Sequence, residues 1–560
     1  MDLPITARRM AAACRQLADA TPCRNLNLAT LVLFCALLLP FTLTYHRYPI
    51  PSFYQEWLAI FLALAAAILV ASKNLGARFD LPFAAWIPLA LLPSVLLHLA
   101  VGNDLIVHGP PLYLISIGSA VLLMIVGRKL GSPKEAIPLA DVMAAALVTG
   151  ALLSCVASWH WRFQTGVFDP LPWSPRGGWF GQRNQNALHI WLGVIGISHF
   201  VLNRKLSWFY FLVCIEMLTE TAIYTQSRSV YLYAGCGLVL GVWAAARSSS
   251  RDTQRRLLLI SFLPVIFLGA IQGARLLLDR DLGGDSDAIQ RYAPATVSQD
   301  ARLGLWLTAS QITRANPWVG SGPGSFIRES WVLSDSLPST VPMTVPATHA
   351  HNLFLQIGAE LGAPTALAMA GLMLAWLVCA LRQTDWERHW LHVAIPLAIL
   401  THNQVEFSLW YLFFLVPTAL AMGAASPRTG GTVVPALAVL VVAVLGFGLA
   451  ARLSQDYQVL EGVTEKSPAE HETLPSLLAA AKHPIFGAWA STSIATQAWP
   501  SGLTLQIKNW HAARSLYVVP LNKNVLRTHI DSLESAGNHS AAATDRRVSQ
   551  RSLLTDPVLK

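Results

Sequence analysis

Charge is scarce in this chain. Asp, Glu, Lys and Arg make up 13% of its 560 residues, against about 25% in soluble globular proteins. That shortage excludes a water-soluble enzyme of this length, a disordered chain and a nucleic-acid-binding module. Cysteine is also sparse: the seven residues at 14, 23, 35, 155, 214, 236 and 379 include no C-x-x-C spacing, so neither a disulfide framework nor a thiolate metal site is indicated. The phosphate-cradling pattern G-x-x-x-x-G-K-[ST] is absent, which leaves no visible nucleotide energy source. Internal repeats and the inverted hydropathy symmetry of transporters are missing too.

Apolar residues fill the space. They account for 54% of the chain, and mean hydropathy is +0.46. Apolar segments at 26–44, 54–71, 82–100, 111–126, 138–158, 184–202, 206–224, 229–246, 257–278, 363–381, 389–402, 408–425 and 432–452 read as membrane-crossing helices. The expected fold class is an all-α polytopic membrane protein of about 13 transmembrane helices (12–14), with a large outer loop and a C-terminal outer α-helical domain. The expected division is 1–25 as an N-terminal segment, 26–278 as a first transmembrane region, 279–362 as the loop, 363–452 as a second transmembrane region and 453–560 as the C-terminal domain. That domain follows Arg452 as a soluble tail, and its polar stretch from Ser532 to Lys560 is expected to be mobile. The first span follows a basic leader and lacks a small-residue cleavage site, so it is not read as a removable signal.

Loop charges orient the chain. Arg8, Arg9, Arg15 and Arg24 precede the first span, and every even-numbered loop is basic, through Lys73, Arg128, Arg204, Arg247, Arg382 and Arg428. Basic residues collect on the cytoplasmic side, so the amino terminus is placed inside and the carboxyl terminus outside. The net charge of +9 is then mostly topological, and no nucleic-acid partner is expected. Outer charges that this rule does not require stand out: Arg162, Arg176, Arg183, Arg228 and Arg302.

Five outer segments can carry chemistry. The long loop begins at Ala301-Arg302 and passes a Gly-rich turn, Asn316 to Phe326. It ends in Thr348-His349-Ala350-His351-Asn352-Leu353-Phe354-Leu355-Gln356, which opens a short helix that Thr348 can cap. Imidazoles titrate near neutrality and take protons from hydroxyls, so His349 and His351 are candidate bases. The alternatives are two surface or capping histidines, or a metal pair completed by His402 or Glu406. A second segment, Arg176-Gly-Gly-Trp-Phe-Gly-Gln182-Arg183-Asn184-Gln-Asn-Ala-Leu-His189, carries four consecutive polar residues into a span, where polar groups line cavities or bind something; a capped helix end with a snorkelling arginine is the simpler alternative. Arg228 sits in a very short outer turn, as a phosphate fork or an interfacial anchor. His402 and Glu406 are four residues apart and would share a face if the helix continued; the simpler alternative is a structural ion pair inside the bundle. Glu56, at the start of the second span, is a candidate partner for an outer arginine. Together these point to group transfer from a lipid-phosphate donor to a hydroxyl acceptor on the outer face, with arginines stabilising a departing diphosphate.

The His349-Ala-His351-Asn352-Leu-Phe-Leu-Gln356 pattern after a long loop resembles the O-antigen ligase superfamily. Gly178 to Ala187 is similar to the protein glycosylation ligase motif, and Pro49 to Leu58 and His402–Glu406–Leu409-Trp410-Tyr411 resemble the protein-glycosylating branch, the pilin glycosylation ligases. The resemblance spans roughly residues 30 to 425. It implies a bacterial inner-membrane enzyme with a periplasmic site and periplasmic carboxyl terminus. It also implies a metal-independent, inverting glycosyltransferase that needs no cofactor, with an undecaprenyl-diphosphate-linked glycan as donor and a Ser or Thr of a periplasmic or pilin-type protein as acceptor. Carried onto this chain, His349 is the favoured base with His351 close behind. Arg183, Arg228 and Arg302 bind diphosphate, with Arg176 beside them. Gln182, Asn184 and Asn352 position sugar or phosphate oxygens, and Glu406, His402, Tyr411 and Glu56 support the site. Ser408 departs from the family pattern, which has proline there. Ligases that join O-antigen to lipid A–core, O-antigen polymerases and lipid-linked glycan transporters are the competing readings.

Overall fold

The computed structural model describes residues 28–102, 105–132, 138–163, 176–277, 301–333, 348–427, 432–464, 473–496, 503–519 and 522–554. Each of the thirteen apolar segments coincides with a helix. In order these are α1 (Leu28–Thr42), α2 (Phe53–Ser72), the interrupted α3 (Phe83–Val101), α4 (Gly109–Leu130), α5 (Leu139–Phe163), α6 (Arg183–Leu202), α7 (Trp208–Tyr224), α8 (Ser229–Arg247) and α9 (Arg251–Leu277). Three short helices follow: α10 (Ala301–Ala315), α11 (Phe326–Leu333) and α12 (Leu353–Leu361). Then come α13 (Ala363–Leu381), α14 (Trp386–His402), α15 (Leu412–Ala425) and α16 (Ala436–Thr464). Among the described residues nine helices are long and apolar enough to cross a membrane, and α1 and α15 are shorter apolar helices. The chain is an all-α multi-pass membrane protein. The only strands among the described residues form a small antiparallel ribbon, β1 (Arg78–Asp80) on β2 (Val433–Pro435), with Phe79 opposite Val434.

Almost every residue of α6 is buried, so it forms the axis around which α5, α7, α8 and α14 pack. Apolar contacts give little net drive inside lipid, so helices there associate by close backbone approach at small residues. The crossing of α4 and α15 shows this reciprocally. A Cβ on Gly127 would sit 2.2 Å from the Leu420 carbonyl oxygen, and one on Gly423 would sit 2.0 Å from that of Met124.

Two expectations about the carboxyl-terminal part are corrected. Helix α16 does not stop at Arg452 but runs twelve residues further, to Thr464, because Tyr457 stacks on Phe53 at 3.7 Å between ring centroids and Leu460 is buried beside it. The stretch from Ser532, mobile by composition, completes one helix and carries another. The C-terminal helices are α17 (Thr473–Ala481), α18 (Gly487–Thr496), α19 (Leu505–Ser515), α20 (Lys523–Ser535) and α21 (His539–Leu554). Ala542 and Val548 of α21 are buried in a cluster with Ile530, Leu516 and Trp331 of α11, which supplies the burial that composition alone did not reveal. Residues 1–25 and 555–560, and the side chain of Arg162, lie outside the described part.

Candidate active site

Five elements meet at one end of the bundle: the start of α6, the α7–α8 turn, the start of α10, the loop before α12 and the α14–α15 turn. The Gly-rich segment sets the first. Gly178 has φ +55°, and a Cβ there would lie 2.6 Å from Asn186 Oδ1; only glycine takes such a position without strain. The resulting 3-10 turn, Gly178–Phe180, folds back on α6, where Asn186 Nδ2 donates to the Arg176 carbonyl at 3.1 Å. From the other side, His46 Nε2 lies 2.8 Å from the Trp179 carbonyl oxygen. Arg183 then opens α6 and is exposed, with Asn184 partly buried behind it.

Glu406 is the hub. Its carboxylate is 3% exposed and receives two hydrogen bonds on Oε1, from Asn184 Nδ2 at 2.6 Å and Arg302 Nη2 at 2.5 Å. Arg302 Nε also donates to the Val405 carbonyl at 2.7 Å. On the other oxygen, Oε2, the His351 Nδ1 stands 3.1 Å away, at ion-pair distance but without the alignment of a full hydrogen bond. Ser227, one residue before Arg228, donates its hydroxyl to Asn184 Oδ1 at 2.7 Å. Burial alone would raise the Glu406 carboxyl. The His351 imidazole against it, with Arg302 and His402 nearby, outweighs that and pulls it down to about 2.

The two histidines differ in setting. His351 adopts φ +53°, a left-handed conformation uncommon for residues other than glycine. His349 lies flat on Phe407, with ring centroids 4.3 Å apart and planes 10° from parallel, and meets Trp410 edge-on at 5.1 Å. Its Nδ1 is 2.7 Å from Thr348 Oγ1. Burial against this aromatic shelf pushes the His349 imidazole down to about 3, the neighbouring His351 adding to the shift, while one edge stays partly exposed.

Several expectations change at this level. Thr348 does not cap α12. Asn352 does, its Oδ1 receiving the N–H groups of Phe354 and Leu355 at 3.1 Å each, because the helix begins only at Leu353. Its amide also donates toward Gln404, so the Asn352 side chain is engaged by the protein itself. His402 and Glu406 do not share a helical face, since α14 ends at His402 and Glu406 lies in the following turn. His402 Nδ1 is instead hydrogen-bonded to the Tyr233 hydroxyl. Glu56 takes a hydrogen bond from Ser52 at 2.6 Å and forms no ion pair with an arginine among the described residues, because it lies one turn into α2 beside its own cap. Tyr411 stacks on Phe413 at 5.3 Å, and its phenol faces Gln185 and Glu56. Gln182 Oε1 is buried without a hydrogen-bond partner among the described residues, and Arg228 is partly buried just ahead of α8. Residues that sequence reasoning passed over are Ser227, Tyr233 and Phe407. Ser227 lay within the turn singled out for Arg228, whereas Tyr233 carried no signal that separates it from an ordinary apolar face. Among the described residues no group of three or more His, Cys, Asp or Glu side chains is arranged to hold a metal ion.

Residues 213–370, which contain Arg228, Arg302 and both histidines, match the family described as O-antigen ligase. The chain is also similar to a protein of Acinetobacter baylyi named General O-oligosaccharyltransferase, at 24% identity over 330 residues, or 57% of this chain. The match covers 56% of that relative, so the chain spans about half its length. Both similarities support a place in the O-antigen ligase superfamily, near its O-oligosaccharyltransferase branch.

Proposed function

We propose that this protein transfers a glycan en bloc from an undecaprenyl-diphosphate-linked donor to a Ser or Thr hydroxyl of a periplasmic or pilin-type protein, without a metal. The observation that carries the reading is the assembly of His351, Glu406, Asn184 and Arg302 at one end of a lipid-embedded bundle. A histidine held by a carboxylate at Nδ1 keeps the lone pair of Nε2 for a hydroxyl proton. His351 is therefore the base, and His349, pressed on Phe407, shapes the floor beside it; this reverses the preference drawn from the motif alone. The acceptor oxygen attacks the anomeric carbon and its proton passes to His351. The bond from that carbon to the diphosphate oxygen breaks, and undecaprenyl diphosphate leaves with the electron pair.

Arg183, Arg228 and Arg302 bind the leaving diphosphate. Their support is positional: Arg183 and Arg302 lie in the first turns of α6 and α10, and Arg228 directly precedes α8. Helix N-termini favour anions. Arg176, Gln182 and Asn352 line the approach, and Tyr411, His402 and Glu56 form the supporting layer. The basic loops support an inner-membrane orientation with the amino terminus cytoplasmic, about 13 spans, and the site and C-terminal helices periplasmic.

The test is co-expression with a pilin-type acceptor and a lipid-linked glycan. Intact-protein mass should rise by one glycan with the wild type and stay unchanged with His351→Ala. Glycan on lipid A–core in a ligase-null host, with none on protein, would make this chain an O-antigen ligase, the reading that the 213–370 match favours. Movement of the lipid-linked glycan with no covalent product would make it a transporter.

A further inference from the structure

The Gly-rich turn of the long loop, Asn316 to Phe326, has no part in the transfer as described. It is built around another carboxylate. Glu360 of α12 is 2% exposed. Its Oε2 accepts the Tyr113 hydroxyl of α4 at 2.7 Å, and its Oε1 accepts Gln356 Nε2 at 2.9 Å and the Phe326 N–H at 3.2 Å, with the Gly324 N–H also directed to it. No cation reaches ion-pair distance of Glu360 among the described residues. The turn closes over α12: the N–H groups of Ser321 and Gly322 donate to the carbonyls of Ala359 and Glu360, each at 2.9 Å. Gly320, at φ +75°, would place a Cβ 2.3 Å from the Glu360 carbonyl carbon.

This network ends between the two histidines. Gln356 Oε1 accepts the N–H of Ala350 at 2.6 Å, and Ala350, fully buried, is the single residue separating His349 from His351. Tyr113, Glu360 and Gln356 thus form a continuous hydrogen-bonded line from a membrane helix to the backbone that fixes both imidazoles. Satisfied buried polar networks of this kind rigidify what they contact.

We propose that Gln356 and Glu360 are positioning residues, which set the spacing and direction of His349 and His351 through the Ala350 backbone without touching substrate. The proposal rests on the histidine-based transfer above. Misplacing a catalytic group by about 1 Å costs on the order of 100-fold in rate, so the line acts on turnover and not on affinity.

The experiment uses the full-length purified protein and two readouts. The first is carbethoxylation of each histidine by diethyl pyrocarbonate, followed by mass spectrometry. Gln356→Met, which keeps bulk and removes both hydrogen bonds, should raise the modification rates of His349 and His351 several-fold while leaving His511 and His529 of the C-terminal helices unchanged. The second readout is transfer from a short undecaprenyl-diphosphate-linked oligosaccharide to a Ser/Thr-containing peptide. There kcat should fall about 10–100-fold with KM for the donor little changed. Glu360→Gln keeps an acceptor oxygen, and the Tyr113 hydroxyl can turn to accept from the new amide, so this variant should retain most turnover where Glu360→Ala does not. Unchanged histidine reactivity in Gln356→Met overturns the proposal, as does a Glu360→Gln variant as inactive as Glu360→Ala. If Gln356→Met does not fold, Tyr113→Phe removes one hydroxyl at the far end and should show the same pattern at smaller amplitude. A wild type that yields no glycan product defeats the transfer reading alone, because the labelling still decides whether Gln356 holds the histidines.

Discussion

His351 Nδ1 lies 3.1 Å from Glu406 Oε2, although the two residues arrive from separate segments, the loop before α12 and the turn after α14. The backbone holds them there: the N–H of Leu353 donates to the Asn403 carbonyl at 2.8 Å, and the Asn403 side chain accepts the N–H of Leu409 at 3.0 Å. If this pair is the base and its orienting carboxylate, His351→Ala should lower turnover about 10²–10⁴-fold, the range for removing a general base. Glu406→Gln should fall between it and the wild type, because the amide can still face the imidazole. Steady-state glycan transfer to a peptide measures both. Equal activity of His351→Ala and wild type would exclude the assignment.

Acid should act on Glu406 and His349 in different windows. The Glu406 carboxyl is depressed from 4.5 to about 2 in the fold. Its stabilising contribution is therefore present above pH 4.5 and is lost as pH falls toward 2. The His349 imidazole is also depressed, from 6.5 to about 3. The unfolded chain binds that proton first, so stability falls as pH drops from 6.5 toward 3. Thermal unfolding in detergent across this range should show His349→Phe flattening the upper window and Glu406→Gln the lower one.

Asn184 bridges Ser227 and Glu406 by a hydrogen bond at each end of its amide, at 2.7 and 2.6 Å. Asn184→Ala leaves part of the Glu406 charge uncovered. Asn184→Asp sets a second carboxylate against the first, and like charges so close do not both ionise easily. The aspartate variant should therefore be the less active and less stable of the two despite its closer shape, as measured by transfer rate and melting temperature.

Gly178→Ala tests the turn at the head of α6. The left-handed backbone costs an L-residue about 1–2 kcal/mol, and the methyl group would meet the Asn186 amide at 2.6 Å. A drop in melting temperature with reduced transfer is expected. Combining the change with Asn186→Gly should recover part of the loss, since it removes the collision while the backbone strain stays.

Trp331 joins the long loop to the C-terminal helices. It is fully buried, and its indole N–H donates to Asp545 at 2.9 Å. Trp331→Ala removes that bond and opens a cavity, a change that costs about 3–5 kcal/mol for large aromatics. Limited proteolysis should then cut first near α21, while the transmembrane helices stay protected.

The polar residues were individually legible. His349, His351, Arg302, Asn184 and Glu406 each sat where charge or amide is costly or poised, and each lies at the end of the bundle where the site assembles. Their pairing was not legible. Asn184 and Glu406 are 222 positions apart, and nothing in hydropathy links them. Glu56 shows the converse failure: a lone acid at the start of a span, on the face that carries outer arginines, invites an ion pair, yet Ser52, four residues away, satisfies it first.

Composition and periodicity alone determined the helical, membrane-crossing class and the positions of the helices, because the bilayer imposes one length and one polarity on every span. Tertiary structure alone decided which histidine faces the carboxylate, that Asn352 caps α12, that the Gly-rich turn encloses Glu360, and that the polar carboxyl-terminal stretch folds. Those outcomes depend on side-chain directions at contacts between distant segments, and a one-dimensional pattern carries no record of direction.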